Sequence, residues 1–324
     1  MEGIAFAPEL LKAAGLPANA ANIAPLKGGA NNRVFRVDLD DGSRLVLKHY
    51  FSHPHDLRPR LKSEYEFLEY AWKCGIREIP KPLAQNPAQN AALYSFVEGD
   101  LAEKDHATAE YVGAAAHFIS MLNQTREMAK HLGPASESCR SSADWIALLE
   151  KRLERLKTAP SVSIQGKQLH GFLSSRLLPA WEECKAALHP FELAAEDWIV
   201  SPSDFGLHNT LFCSGKARFI DFEYAGWDDP AKTISDFFLQ PRLPIPICYF
   251  GPFAQRIASL TGSAEKTLER TKNVFAMSKI KWCCIILNVF SNAGKSRREF
   301  AEYPHLYEAQ LQLAEKTLTN GPML

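Results

Sequence analysis

The feature that most constrains this 324-residue chain is a change of periodicity about a hundred residues in. Up to residue 97 or so it reads as strands joined by tight turns, and beyond that mainly as helices. Val34 to Leu39 alternates apolar and polar from Phe35 onward, the period-two pattern of a strand with one buried face. Asp40-Asp41-Gly42 is a hairpin turn signal, and Arg44 to Lys48 is the return strand. Ahead of them a strand from Ile23 enters a turn at Gly28-Gly29-Ala30-Asn31-Asn32. Leu61 to Lys73 is an amphipathic helix, with Leu61, Tyr65, Leu68 and Trp72 on one face and Gly75 as its stop. Ile79 to Leu83 is extended, and Ala91 to Val97 is a strand ended by Glu98-Gly99. A short helix over 8–16, closed by Gly15 and Pro17, precedes the sheet.

Beyond residue 97 the pattern predicts helices over about 106–129, 142–157, 166–188, 263–290 and 297–318. Ser141 or Ser142 before Asp144, and Ser263 before Lys266, are N-terminal caps. Short strands near 198–200, 210–213 and 217–221 interrupt the helices. A helix starting at Asp236 is cut by Pro241, Pro244 and Pro246. The expected architecture is α+β: a sheet-plus-helix lobe over 1–97 and a larger, mainly helical lobe over 98–324. A substrate cleft between such lobes is the natural expectation.

Composition removes several function classes. Basic and acidic side chains balance at 37 each, whereas a nucleic-acid partner calls for a basic excess or a basic face. No run of about 18 apolar residues occurs, so no membrane span is expected. Trp282 to Phe290 is too short to span and reads as a core helix. The residues from Met1 to Pro8 lack a basic stretch and a long apolar one, so no signal peptide is expected. The seven cysteines include no C-x-x-C, which argues against zinc or a disulfide framework and for reduced thiols in a cytoplasm.

The chemistry is carried by carboxylates. Asp204-Phe205-Gly206-Leu207-His208-Asn209 sets an amide five residues after a carboxylate, and Asp221 then ends the short apolar run Phe219-Ile220. Phosphoryl transfer from a nucleotide needs such a set: a carboxylate to orient an attacking hydroxyl, and oxygen donors to hold magnesium. Asp204-Phe205-Gly206 also spells the metal motif of protein kinases. In that reading no suitable Asp and Asn precede it, so Asp221-Phe222-Glu223 is the better metal motif. No G-x-x-x-x-G-K-[ST] occurs, and a P-loop enzyme is not supported.

In order, the chain offers a Gly-Gly turn, a strand-ending lysine, a helical glutamate, a hinge strand, and then Asp204, Asn209 and Asp221. This order resembles the protein-kinase-like fold, and within it the aminoglycoside and choline phosphotransferase family of small-molecule kinases. The family's H-G-D-x-x-x-x-N is matched by Pro202-Ser203-Asp204 through Asn209, and its I-D-[FW]-[ED] by Ile220-Asp221-Phe222-Glu223. A downstream G-D-P-x-x-D is matched loosely by Asp228-Asp229-Pro230 and Asp236. The resemblance implies a two-lobe kinase-like fold and transfer of the γ-phosphate of ATP or GTP, with Mg²⁺, to a hydroxyl of a sugar, amino alcohol or aminoglycoside.

It also implies roles. Asp204 is the catalytic carboxylate, and Asn209 and Asp221 are metal ligands. Lys48 holds phosphates and Glu64 pairs with it, Glu69 being a second candidate on the same helix and Glu66 facing away from its apolar stripe. Gly28, Gly29 and Asn32 line the phosphates, and the hinge at Ser95 and Val97 meets the base through its backbone. Two departures stand out: Pro202 and Ser203 replace the usual His-Gly. That histidine braces the loop in kinases, so loop geometry is where a nucleotide-binding module without transfer activity, the alternative reading, would first differ. A protein-kinase reading is weaker, because no A-P-E follows Asp221.

Overall fold

A computed structural model describes residues 5–20, 22–26, 31–54 and 56–322. The turn residues Gly28 and Gly29 lie outside the described residues. The chain divides into two compact units: Met1–Leu101 with Asn209–Tyr224 and Ser296–Pro304, and Ala102–His208 with Ala225–Lys295 and His305–Leu324.

The first unit is built on a five-stranded antiparallel sheet. Helix α1 (Ala7–Ala13) is followed by β1 (Asn22–Pro25), β2 (Arg33–Asp38), β3 (Arg44–His49), α2 (Arg60–Lys73), β4 (Pro82–Asn86) and β5 (Ala91–Ser95). The sheet order is β1-β2-β3-β5-β4. The β2–β3 hairpin pairs Asp38 with Arg44; Gly42 in its turn has φ +82°, which glycine adopts without strain. Successive strand side chains point to opposite faces. Val37, Leu45 and Leu47 join Leu93 and the α1 residues Leu10 and Leu11 in one core. Lys48, one residue on from Leu47, is therefore delivered to the other face, where Glu64 of α2 meets it. A small sheet completes the unit: β6 (Asp100–Leu101), β8 (Thr210–Cys213) and β9 (Lys216–Phe219), in that order, with β7 (Ile199–Ser201) belonging to the second unit. The strand near Ile79 to Leu83 lies further along, at 82–86.

In the second unit β7 pairs antiparallel with β10 (Gly226–Asp228). Around this pair lie α3 (Ala109–Gln124), α4 (Ser142–Lys157), α5 (Ile164–Phe172), α6 (Leu178–Ala186), α7 (Pro230–Leu239), α8 (Phe250–Ala258) and α9 (Ala264–Ile286). Helix α10 (Asn292–Phe300) straddles the unit boundary, and α11 (Tyr307–Asn320) ends the fold. Its core joins Trp145, Leu149 and Leu153 of α4 with Trp181, Met277, Cys283, Cys284 and Leu311. Ser141 caps α4, accepting from the amide of Asp144, whose own carboxylate accepts from the amide of Ser141.

Three helical expectations are corrected. The helix over 166–188 is interrupted by a π-turn at Leu173–Leu177. Pro179 lacks an amide proton and its ring crowds the carbonyl four residues back, which opens the ladder there. The helix over 297–318 is two helices, broken around Pro304. The helix expected from Asp236 begins six residues earlier: Asp229 caps it, accepting from the Ala231 amide at 2.9 Å, with Pro230 in the first turn. Helix α8 and strands β6 and β10 were not expected. The helical run Ala264–Phe290 is long and apolar enough to cross a membrane by length and composition, but 72% of its most apolar window is buried inside the structure. That is the pattern of a core helix.

Candidate active site

In the first unit the predicted residues Lys48, Glu64 and Asp221 come together. Lys48 Nζ donates to Glu64 Oε2 at 2.6 Å and to Asp221 Oδ1 at 2.5 Å. Lys48 sits on the central strand β3, fixed by β2 on one side and β5 on the other. Glu64 is held from three directions: its Oε2 also accepts from the Tyr50 hydroxyl at 2.8 Å, and its Oε1 from the Phe222 amide at 3.2 Å. Tyr50 in turn meets the Tyr94 hydroxyl at 2.6 Å. Tyr50 lies just past the end of β3, two residues from Lys48, and continuing the strand's alternation by one residue is the sequence signal that would have found it. Of the other glutamates on α2, Glu66 lies 3.9 Å from exposed Lys62 and Glu69 is exposed.

Charge explains the ionisation of this cluster. Burial would lower Lys48, but the carboxylates of Asp221, Glu64 and Glu223 hold its ammonium well above the ordinary lysine value. Burial, reinforced by the Glu223 and Glu64 carboxylates, holds Asp221 at about 6 against the downward pull of Lys48. Asp221 has φ +68°, a left-handed conformation that costs a non-glycine residue about 1 kcal/mol and is common at functional loops.

Glu223, two residues on, ties three segments together. Its carboxylate accepts from Asn31 Nδ2 at 2.6 Å and Asn32 Nδ2 at 2.5 Å, and Arg60 Nε lies 3.5 Å away. Asn32 Oδ1 also accepts from the Phe51 amide. Burial would raise Glu223, yet Lys48, Arg60 and the Asn32 hydrogen bond hold it below the usual glutamate range. This carboxylate therefore ties the segment at Asn31 and Asn32 to the Asp221 loop.

Asn209 precedes β8, and its carbonyl accepts from the Ile220 amide at 3.0 Å, so the backbones of Asn209 and Asp221 run side by side. In the hinge, the Ser95 hydroxyl accepts from the Lys81 amide at 2.8 Å and the Phe96 amide donates to the Arg44 carbonyl. Those groups secure the ends of β3, β4 and β5. Val97 follows, half-buried and outside any strand.

Asp204 lies in the second unit. Its Oδ1 is 3.2 Å from His208 Nε2. Burial would raise Asp204, but the His208 imidazole and the more distant Lys281 and Lys232 ammonium groups hold it below the usual carboxylate range. Ser203 adopts φ +62°. Its amide donates to Ser201 Oγ at 3.0 Å, and its own Oγ accepts from Lys232 Nζ at 3.2 Å. Thr233 donates to Ser201 Oγ at 2.8 Å. Behind this loop lies a buried charge network in which the carboxylates of the downstream motif pair with cations that the sequence did not mark. Lys232 pairs with Asp228 at 2.5 Å, Lys281 with Asp236 at 2.5 Å, and Arg270 with Asp229 at 3.0 Å.

The comparisons agree on the fold. A spectinomycin phosphotransferase, solved with ADP and spectinomycin, is similar at TM-score 0.62 and 12% identity, covering 96% of this chain and 97% of that one. A macrolide 2'-phosphotransferase from Brachybacterium faecium is similar at TM-score 0.57 and 16% identity over 100% of both chains. A choline/ethanolamine kinase family protein from Mesorhizobium loti is similar at TM-score 0.56 and 16% identity, covering 94% and 97%. The architecture is thus the α+β, protein-kinase-like fold of small-molecule kinases. The model of the phosphotransferase enzyme family matches residues 22–235, and the chain belongs to that family. It is a small-molecule phosphotransferase. No curated protein matches the chain in sequence.

Proposed function

We propose that this enzyme transfers the γ-phosphate of ATP or GTP to a hydroxyl group of a small molecule, with Mg²⁺. The observation that carries the reading is Lys48 held between Glu64 and Asp221, on the central strand of the sheet, with Asn31 and Asn32 tied to the same loop through Glu223. Lys48 contacts the α- and β-phosphates, and Glu64 fixes its rotamer. Asp204 accepts a hydrogen bond from the acceptor hydroxyl and aligns it on the γ-phosphorus, and His208 fixes the orientation of that carboxylate.

The donor set suits magnesium. Among the described residues no group of three or more His, Cys, Asp or Glu side chains forms a metal cage. Magnesium instead favours one or two protein oxygens, with phosphates and water filling the rest. Asp221 and Asn209 supply that kind of set, and the ion neutralises charge on the phosphates when bound.

The test is an acceptor screen over sugars, amino alcohols and aminoglycosides, with ADP release as readout, alongside calorimetric nucleotide binding. Asp204→Ala should lower kcat by roughly 10²–10⁴ while nucleotide affinity holds. Undiminished turnover in that variant would sink the assignment of Asp204. Nucleotide binding with no transfer to any acceptor class would favour a regulatory module.

A further inference from the structure

Three guanidinium groups gather at one side of the first unit, and one of them lacks a partner. Arg58 lies 5.2 Å and Arg60 5.8 Å from the centre of the Tyr224 ring. Arg58 holds Asp56 with two nitrogens, at 2.6 and 2.5 Å, and Arg60 shares that carboxylate at 2.7 Å while also meeting Glu223. The Tyr224 hydroxyl accepts from Asn31 at 3.1 Å, so the ring stands beside Asn31. The third group, Arg297, comes from α10. Three residues further along that helix, Phe300 is anchored to the sheet. Arg33 Nε donates to its carbonyl at 2.7 Å, and its ring packs 5.1 Å from His49 and 5.6 Å from Phe51. Arg297 thus stands on an anchored turn, within Coulomb range of Arg58, Arg60, Tyr224 and Glu223.

Arg297 Nε is buried with no hydrogen-bond partner, and its side chain makes no ion pair among the described residues. Burial, together with the neighbouring Arg58 and Arg60 charges, lowers its basicity despite Tyr224 and Glu223. A guanidinium cannot relieve that cost by losing a proton. Two carboxylates, Asp56 and Glu223, face three guanidinium groups, and both are already engaged. A half-buried cation with a buried, unpartnered Nε offers a place for an anion from outside.

We propose that Arg297 is the centre of an oxyanion-binding site beside Tyr224 and Asn31, taking a phosphoryl or carboxylate group of a ligand. The site rests on the phosphotransferase reading only for what that ligand is. Asp221 and Tyr224 are three residues apart, a step of at most about 10 Å. The outer phosphate of the nucleotide and an anionic group on the acceptor are therefore both within reach. A purely cationic acceptor would gain nothing from this group.

The experiment compares wild type with Arg297→Gln and Arg297→Lys in the full chain. One arm measures thermal stability against inorganic sulfate at constant ionic strength. The second measures binding of ADP and of the non-hydrolysable ATP analogue AMP-PNP, with Mg²⁺, by calorimetry. Sulfate should stabilise the wild type, lose that effect in Arg297→Gln and keep part of it in Arg297→Lys. If the outer nucleotide phosphate occupies the site, Arg297→Gln should weaken AMP-PNP on the order of 10- to 100-fold, the worth of a charge-assisted hydrogen bond, and spare ADP. If the acceptor supplies the anion, both nucleotides bind the variant as they bind wild type while the sulfate effect is still lost. No sulfate response in wild type, or an equal one in Arg297→Gln, overturns the proposal. A wild type that binds sulfate through Arg297 but no nucleotide would sink the phosphotransfer mechanism instead and leave the oxyanion site standing.

Discussion

Lys232→Met is the sharpest test of how the Asp204 loop is supported. The Lys232 side chain is 2% exposed, and its ammonium lies 2.5 Å from Asp228 Oδ2, 3.2 Å from Ser203 Oγ and 3.7 Å from Asp236 Oδ2. Methionine retains most of the stem volume and removes the charge. Breaking one half of a buried pair costs about 3–5 kcal/mol, because the remaining charge is stranded. Asp228 is fully buried, and burial already pushes its carboxyl up to about 6 with the ammonium in place. Without Lys232 it must rise further and take up a proton at neutral pH, which caps the loss. The sign then follows. A carboxyl whose folded pKa exceeds the ordinary 3.8 costs stability as pH rises through the folded value. The stability gap between Lys232→Met and wild type should therefore widen from pH 6 to pH 9. Asp228→Asn added to Lys232→Met removes the stranded acid and should recover at least about 2 kcal/mol of the loss, since a buried pair replaced on both sides is often near neutral. Thermal unfolding reads this out at roughly 2–4 °C per kcal/mol for a unit of this size. A double variant as unstable as the sum of the singles, or a gap that does not change with pH, would refute the reasoning.

Two further outcomes follow from the same structure. Arg58 and Arg60 overcome the effect of burial and hold Asp56 well below the usual carboxylate range. Its stabilising contribution is then complete above pH 4 and lost as pH falls through the folded value, so Asp56→Asn should lose about 3 kcal/mol near neutrality. That gap in melting temperature should shrink at pH 3, and an equal gap at both pH values would count against it. Gly226, on β10, has no room for a side chain: an added Cβ would lie 2.4 Å from the Gly133 carbonyl oxygen and 2.7 Å from the Ala135 amide nitrogen. Gly226→Ala should cost about 3 kcal/mol by overpacking, and a melting temperature within a degree of wild type would contradict the contact.

The first unit was legible because its signals are local. Alternation over β2 and β3, the turn at Gly42 and the apolar stripe of α2 are written into consecutive residues, and the phase of that stripe marks Glu64 as a residue bordering the buried face. The second unit was harder to read where it buries charge. Lys232 and Lys281 look like solvated surface in sequence, yet they and their partners Asp228 and Asp236 are all under 6% exposed. Every residue of α7 is buried, so its polar face meets other charges in place of water, and the Asp229-Pro230 cap marks its start. The orphaned nitrogen of Arg297 is likewise invisible, since what leaves it unpaired is the prior engagement of Asp56 and Glu223 by other arginines.

Position 203 shows how a departure from a motif can be absorbed. The sequence places Pro202-Ser203 where the family carries His-Gly, and a histidine brace is thereby lost. Glycine would enter the left-handed conformation freely; Ser203 enters it at φ +62° and incurs about 1 kcal/mol of strain. Its hydroxyl gains what glycine could not have: a hydrogen bond from Lys232, whose charge is balanced by Asp228. Ser201 accepts the Ser203 amide and the Thr233 hydroxyl, so two adjacent α7 residues fix the backbone ahead of Asp204 from one side. On the other side Pro202 holds its own φ near −65° without help. The brace has moved from a side chain within the loop to the helix beneath it. The strain at Ser203 is then offset only while Lys232 keeps its charge, and this makes the Lys232–Asp228 pair part of the support of Asp204.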